Sequence, residues 1–530
     1  MTMYTKEQLN DCTKEGLVDI VLDMQNRFSV IEERIAAMNV NTYGRKTEKV
    51  LSADPNQLNF LNEMEAIEDG IEYADGSEAE PETEEITYSR KKAKGKRKLD
   101  LEGLPKVIEN HEIPEEELVA KFGENGWKRL PDQVYSKLEV KPAQFTVIEH
   151  HIAVYASKKT DKIIKAKHPV ELLNNSIATS SLVSGVMNGK FANAMPFYRI
   201  EKEFATYGAP VSRQDMAHWV IKCCEVYLNL VYDRMHEILK KEHVIQADET
   251  PAYVTKDGKE AGSKSYMWVF RTGEYSKEKP IILYKWANGR ATDHPSEFLK
   301  GYKGYLECDG YSGYKRLDTI YDDINICCCW AHARRRFSDA VKAYGLKSPG
   351  VQDTLAYRAL EKIGTIYHLD EKFNNLSPEE RLKRRQTTIT RRVDAFFAWA
   401  KEHQNDTGKQ DLTYKGFSYC INQEKYLRKF LEDGEIPLDN SATERAIRPF
   451  TVSRKTWKLI DTPSGADASA TMYSIVETAK ANNIKVYDYL KLLLDEIPKH
   501  MDGKDTDFLD ELMPWSETVK ARCQKKIKTE

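Results

Sequence analysis

The sequence predicts an α/β protein. Between residues 241 and 340, five short apolar runs alternate with turn signals and one helical segment; helical stretches flank this region, and β character does not return after 432. The runs are HVIQADE, YMWVFRTG, PIILYKW, GYLECDG and INICCCW, and the helical segment lies near DHPSEFLKGY. A chain of 530 residues is too long for one compact core. About two to four domains are expected.

Residues 1–50 carry Leu17, Val21, Met24, Phe28, Ile31, Ile35 and Met38 at alternating steps of four and three, with Gly44 closing the helix. Two readings are open: a short coiled coil that makes the protein a homo-oligomer, or an amphipathic helix packed on its own domain. Residues 51–99 read as a linker. Within it, 68–85 is acidic and nearly free of large apolar groups, and 90–98 (RKKAKGKRK) is almost wholly basic. The basic half either lies along a DNA backbone or is a solvated tether.

Residues 100–168 form a small β domain, with an antiparallel sheet expected from about 134 to 165, where β-branched and aromatic residues alternate with polar ones. Residues 169–240 turn helical. There, YRIEKEFATYGAPVSRQDMAHWVIKCC reads as two helices joined at Gly208-Ala209-Pro210, with Ser212 as N-cap and Asp215 completing a capping box. A helix-turn-helix would offer Arg213, Gln214 and His218 to a DNA groove, although generic helical hairpins share the pattern. After 241–340 come a helical, highly charged insertion at 341–432, containing RLKRRQTTITRR, and a returning segment at 433–500 with helices at 441–450 and about 472–496. Residues 501–530 are a charged tail.

The net charge of −3 gives no overall field toward nucleic acid, so any DNA contact must come from local basic patches. Nine irregularly spaced cysteines, five of them in adjacent runs, suit reduced thiols rather than a disulfide framework. Cys327, Cys328 and Cys329 point to alternate faces if they lie on a strand, and read as small buried filler. There is neither a membrane-spanning run nor a signal-peptide pattern, so the expected location is the cytoplasm, with no membrane partner.

Three acids carry the candidate chemistry. Asp248 follows the apolar run Val244-Ile245-Gln246-Ala247, and Glu249-Thr250-Pro251 should stop that strand. Asp309 has the same setting, after Gly304-Tyr305-Leu306-Glu307-Cys308 and before Gly310. Strand-end carboxylates on neighbouring strands suit Mg2+, which takes a few carboxylates and leaves other positions to water and phosphate oxygens. Each Asp also fits a plain turn. Glu444 lies in DNSATERAIRPF, where Ser441 and Glu444 have capping-box spacing. Against that local role, Arg445 and Arg448 share its helix and Arg454, Lys455 and Lys458 follow, as a phosphodiester site requires. His332, in CWAHARRR beside Arg334 and Arg335, is either an auxiliary group orienting a phosphate or water, or a capping and packing residue.

The segments HVIQADETPAYV, YKGYLECDGYSGY, CCCWAHARRRFSDA and LDNSATERAIRPFTVSRKTWKLI, in this order, resemble the catalytic segments of the insertion sequence sixty-six (IS 66) family of bacterial transposases. YSIVETAKANNIKVYDYLKLLLDEIP resembles that family's C-terminal segment, and NTYGRKTEK its N-terminal leucine-zipper region. The resemblance implies a ribonuclease-H-like core with an Asp-Asp-Glu triad at Asp248, Asp309 and Glu444, interrupted by the helical insertion. The triad points to two Mg2+ ions, with Mn2+ as a substitute, and to DNA as partner; the candidate DNA contacts, read from the helix-turn-helix pattern and the local basic residues, are Arg213, Gln214, Arg334, Arg335, Arg445, Arg448, Arg454 and Lys455. The resemblance also implies small accessory proteins of the same element. One departure stands out: the family's small β region usually carries zinc-binding cysteines, and 100–170 here has none. His111, His150, His151 and His168 without thiolates make no structural zinc spacing, so no zinc is expected. The implied activity is cleavage of transposon ends and their joining to target DNA. The rivals are a nuclease on the same fold that does not join, and a catalytically idle DNA-binding regulator.

Overall fold

The computed structural model describes Thr13, parts of 108–158, and residues 163–525 apart from 260–262, 347, 502, 504 and 505. The heptad seam and the acidic and basic linker therefore lie outside the described residues. The chain divides into a larger unit, which includes Pro169–Ile200 and Ser212–Cys523, and a smaller one, which includes Asp75–His168 and Glu201–Val211.

In the smaller unit, the small sheet is a ribbon of two three-residue strands, β1 (Val154–Ala156) and β2 (Ile163–Lys165), paired antiparallel with Val154 opposite Lys165. Val154, Tyr155, Ile163 and Ile164 are all exposed, because no third strand or packed helix covers the ribbon among the described residues. Of the two expected helices, α1 (Phe197–Thr206) is shared between the two units and α2 (Arg213–Cys223) belongs to the larger one. Ser212 caps α2 by accepting from the Asp215 amide at 3.2 Å, while its hydroxyl donates to the Asp215 carboxylate at 2.7 Å. Arg213, Gln214 and His218 are exposed on α2.

The larger unit is built on one mixed sheet in the order β5-β4-β3-β6-β7. Its strands are β3 (Val244–Ala252), β4 (Ser265–Thr272), β5 (Ile282–Ala287), β6 (Gly304–Cys308) and β7 (Ile324–Cys328). The first three form an antiparallel meander, whereas β6 joins β3 in parallel and β7 joins β6 in parallel. All five coincide with the apolar runs of the sequence. The stop expected after Asp248 does not occur: β3 continues through Pro251, paired with β4 as far as Ala252 opposite Ser265. Pairing with β6 ends at Gln246 opposite Glu307, so beyond that point β3 is an edge strand on one side. An edge tolerates proline, whose missing N–H would be needed only on a paired side.

Helices seal the remaining edges and faces. Between β6 and β7 lies α3 (Ser312–Lys315), and β7 leads into α4 (Trp330–Tyr344). The insertion follows as α5 (Leu355–Glu371), α6 (Pro378–Arg384), a π turn at Arg385–Ile389, α7 (Thr390–His403) and α8 (Leu412–Asn422). One apolar core runs from Cys327 and Cys328 through Trp330, Phe337, Phe396 and Phe417 to Ile436 and Leu438, so the insertion is fused to the β7 side of the sheet. Within RLKRRQTTITRR, two arginines are buried. Arg385 grips Asp370 with two nitrogens, at 2.6 and 2.9 Å, and donates to the Phe430 and Ile436 carbonyls. Arg381 donates to the carbonyls of Phe373, Asn374, Leu376 and Gly434.

After the insertion come α9 (Ser441–Trp457), α10 (Pro463–Ala481) and α11 (Val486–Glu496). α10 closes the β5 edge with side-chain hydroxyls. Thr478 Oγ1 accepts from the Ile282 amide at 3.0 Å and donates to its carbonyl at 2.9 Å, and Ser474 Oγ accepts from the Tyr284 amide at 2.7 Å. The eight described cysteines from Cys223 to Cys523 are free and buried. Among the described residues, no helix is long and apolar enough to cross a membrane.

Candidate active site

The β3 strand delivers Asp248 just past the end of its parallel pairing, and β6 delivers Asp309 one residue beyond its own last paired position, Cys308. Parallel neighbours end on the same side of a sheet, which brings the two acids to one rim. The acid from α9 comes by a different route. Asn440, buried at the start of that helix, donates from Nδ2 to the Ala247 carbonyl at 2.8 Å, and Gln246 Nε2 donates to the Asp439 carbonyl at 3.2 Å. These two bonds dock the head of α9 on the strand segment immediately before Asp248.

Asn440, not Ser441, is the N-cap residue, and no side-chain hydrogen bond caps this helix. Glu444 therefore does not close a capping box. Its carboxylate faces α4, where Arg335 Nη2 donates at 3.2 and 3.4 Å and His332 Nε2 lies 3.8 Å away.

Asp248, Asp309 and Glu444 line one open pocket of about 400 Å3 with Glu249, Thr250, Arg290, His332, Arg335, Ile447 and Arg448. Asp248 Oδ1 accepts from the Glu249 amide at 2.9 Å, and Asp309 Oδ1 from the Tyr311 amide at 2.8 Å. Burial, and then the carboxylates of Glu249, Glu444 and Asp309, push the Asp248 carboxyl well above the usual carboxylate range. Burial and the Arg335 guanidinium push the His332 imidazole below its ordinary value, which favours the neutral ring. His332 Nδ1 is buried without a hydrogen-bond partner among the described residues, so the ring is not a helix cap.

The donor set fits a hard divalent ion: acceptor-only oxygens converge, and their mutual repulsion would be relieved by added positive charge. Among the described residues, no three His, Cys, Asp or Glu side chains form a closed coordination set as they stand. Arginines hold two of the acids meanwhile, Arg335 at Glu444 and Arg290 at Asp309.

The candidate DNA-binding residues separate by position. Arg335 and Arg448 line the pocket. Arg445 instead pairs with Glu274 at 3.0 Å, and Arg454 donates to the Pro251 carbonyl, fastening α9 to the end of β3. Arg334 is half-buried and its charge bears on the Tyr367 hydroxyl of α5. Lys455 and Lys458 are exposed at the end of α9. Sequence reasoning missed Glu249 and Arg290. Glu249 reads as a turn residue beside Asp248, and Arg290 lies in a Gly-containing turn far from all three acids in the chain.

Comparison with known proteins bears directly on this arrangement. Residues 175–468, more than half the chain and all of the pocket, match the family model described as "Transposase IS66 family". The chain belongs to the IS66 family of transposases. It carries the IS66 C-terminal element at 474–515 and, at 31–108, the leucine-zipper segment described as "Transposase C of IS166 homeodomain". Three relatives from Sinorhizobium fredii are similar to this IS66 member along most of their length. One, "Uncharacterized protein y4qI", is 27% identical over 486 residues, covering 89% of this chain and 86% of the relative. A second, y4jD, is 23% identical over 518 residues, covering 95% and 96%. A third, y4hP, is 24% identical over 396 residues, covering 73% and 71%. Membership of this DDE transposase family implies an enzymatic transposase and DNA binding.

Proposed function

We propose that this IS66 transposase cleaves the ends of its element and joins them to target DNA by metal-dependent phosphoryl transfer, with Asp248, Asp309 and Glu444 as the metal-binding triad. The observation that carries the reading is the convergence of these three acids, from β3, β6 and α9, on one pocket that also presents Arg290, Arg335 and Arg448. The meander followed by parallel strands, with an acid-bearing helix docked on the first strand, is in keeping with a ribonuclease-H-like core.

Asp248, Asp309 and Glu444 would hold Mg2+ or Mn2+, which when bound would supply water activation and stabilisation of the charge on the transferring phosphoryl group. The residues of the chain set the conditions for this. Asp248, fixed on the sheet, and Asp309, held by the Tyr311 amide, offer oxygens from rigid backbone, and Glu444 completes the set by leaving Arg335. Arg335, once released, and Arg448 are placed to hold phosphate oxygens of the DNA strand. Neutral His332 can donate or accept one hydrogen bond beside Glu444, which suits orienting a water or phosphate rather than carrying charge. The N-terminal zipper would make the working form a homo-oligomer.

The test incubates purified protein and Mg2+ or Mn2+ with the DNA flanking its own coding sequence. The expected products are free 3′ hydroxyls at the element ends and molecules joined to target DNA, both absent for Asp309→Ala. Cuts without joining would favour a nuclease, and metal-independent binding without cuts a regulator.

A further inference from the structure

One acid lining the pocket has no part in the triad. Glu249 follows Asp248 on β3, and its side chain is 1% exposed. Two residues satisfy it. Arg290, from the loop after β5, brings Nε to Oε1 at 2.6 Å with Nη2 on the same oxygen, and Tyr314 of α3 donates its hydroxyl to Oε2 at 2.7 Å.

The arginine is immobilised from other directions as well. Its guanidinium stacks on the Tyr311 ring at 3.8 Å, and the Tyr311 hydroxyl donates to the Arg290 carbonyl at 2.6 Å. Its Nη2 stands 3.6 Å from Asp309 Oδ2. The side chain remains 38% exposed at the pocket, and Nη1 has no hydrogen-bond partner among the described residues.

A buried carboxylate that serves only packing is an expensive device, because apolar residues of the same size would hold the loop as well. A rigid guanidinium with a free edge beside strand-end acids is what recognition of a phosphodiester demands. Resting on the metal-centre reading above, we propose that Arg290 binds a phosphate oxygen of the DNA strand in this pocket, with Glu249, Tyr311 and Tyr314 as positioning residues. A lysine there would keep the charge but lose the fork that grips Glu249 and the flat face that stacks on Tyr311.

The test compares the full-length protein with Arg290→Ala, Arg290→Lys and Glu249→Gln. Affinity for a duplex from the flank of its own coding sequence is measured in Ca2+, and cleavage in Mg2+. Arg290→Ala should weaken duplex binding by about tenfold and slow cleavage by about a hundredfold or more, with part of the cleavage restored by added guanidinium. Arg290→Lys should recover little, and Glu249→Gln, which retains a hydrogen-bonding oxygen for the arginine, should fall between Arg290→Ala and the unmodified protein. Wild-type-like binding and cleavage by Arg290→Ala would overturn the inference. So would a defect that follows a lowered melting temperature and does not respond to guanidinium. Failure of the triad reading looks different: Asp248→Ala and Asp309→Ala would keep cleaving while the Arg290→Ala binding defect persisted.

Discussion

Arg335 Nη2 stands 3.2 Å from Glu444 Oε2, so the acid supplied by α9 is held by an arginine of α4 and not by its own helix. The pair joins elements on either side of the insertion, and its geometry makes the arginine a competitor for the carboxylate that the metal reading requires. Arg335→Ala should therefore tighten Mn2+ binding by about two- to fivefold, the scale of a partly exposed ion pair. A paramagnetic Mn2+ titration measures this, and unchanged or weaker binding would count against Glu444 as a ligand.

Glu307 gives a prediction about stability. Gln246 Nε2 donates to its Oε2 at 2.7 Å, but Oε1 is buried without a partner among the described residues, and burial followed by the nearby Asp439 pushes its carboxyl well above the usual range. A folded pKa raised above the unfolded value near 4.5 means the fold favours the protonated acid. Stability from this group is thus full below that pH and declines as pH rises toward the folded value. Glu307→Gln removes the titration, so it should raise stability at pH 8 by about 1–3 kcal/mol and have little effect at pH 4. Thermal melts of both proteins at the two pH values measure the difference.

Arg385 ties the insertion to the segment that leads into α9. Arg385→Ala leaves Asp370 buried without its partner and frees the Phe430 and Ile436 carbonyls, which should cost about 3–5 kcal/mol. The loss should appear first as protease sensitivity between 430 and 440, followed by loss of cleavage as Glu444 leaves the rim. Gly434 belongs to the same clamp, since a Cβ there would stand 1.8 Å from the Pro378 carbonyl oxygen. Gly434→Ala should reproduce the protease-sensitive phenotype without touching a charge.

Thr478→Val tests how the sheet edge is sealed. The replacement keeps shape but removes the hydroxyl that serves both the amide and the carbonyl of Ile282. Leaving these groups unpaired should cost about 1–3 kcal/mol, read as faster amide exchange along β5.

What the sequence makes legible follows from what is local. Each strand of the large sheet is a short apolar run bounded by turn residues, and the Ser212 cap of α2 lies within a four-residue window, so both can be read directly. Pro251 misleads because its tolerance depends on the pairing with β6 stopping at Glu307, a fact about a partner strand and not about Pro251. Glu249 and Arg290 are hidden for the same reason: each looks like a turn residue until a distant element brings its partner. The basic run at 381–392 divides into buried clamps and exposed charge according to which helical face meets residues 430–436, and composition holds no trace of that. Ser441 and Glu444 have capping-box spacing, yet the helix begins one residue earlier because Asn440 is drawn onto the Ala247 carbonyl.

Asp248, Asp309 and Glu444 are expected to bind divalent ions together. A crystal structure of the full chain grown with Mn2+ and an element-end duplex, with anomalous scattering to locate the metal, tests this expectation most directly. Anomalous peaks are predicted at about 2.0–2.2 Å from oxygens of Asp248, Asp309 and Glu444, with Glu444 turned away from Arg335. Saturating Mn2+ with no peak at this rim, or peaks held by other acids while Glu444 stays on Arg335, would contradict it.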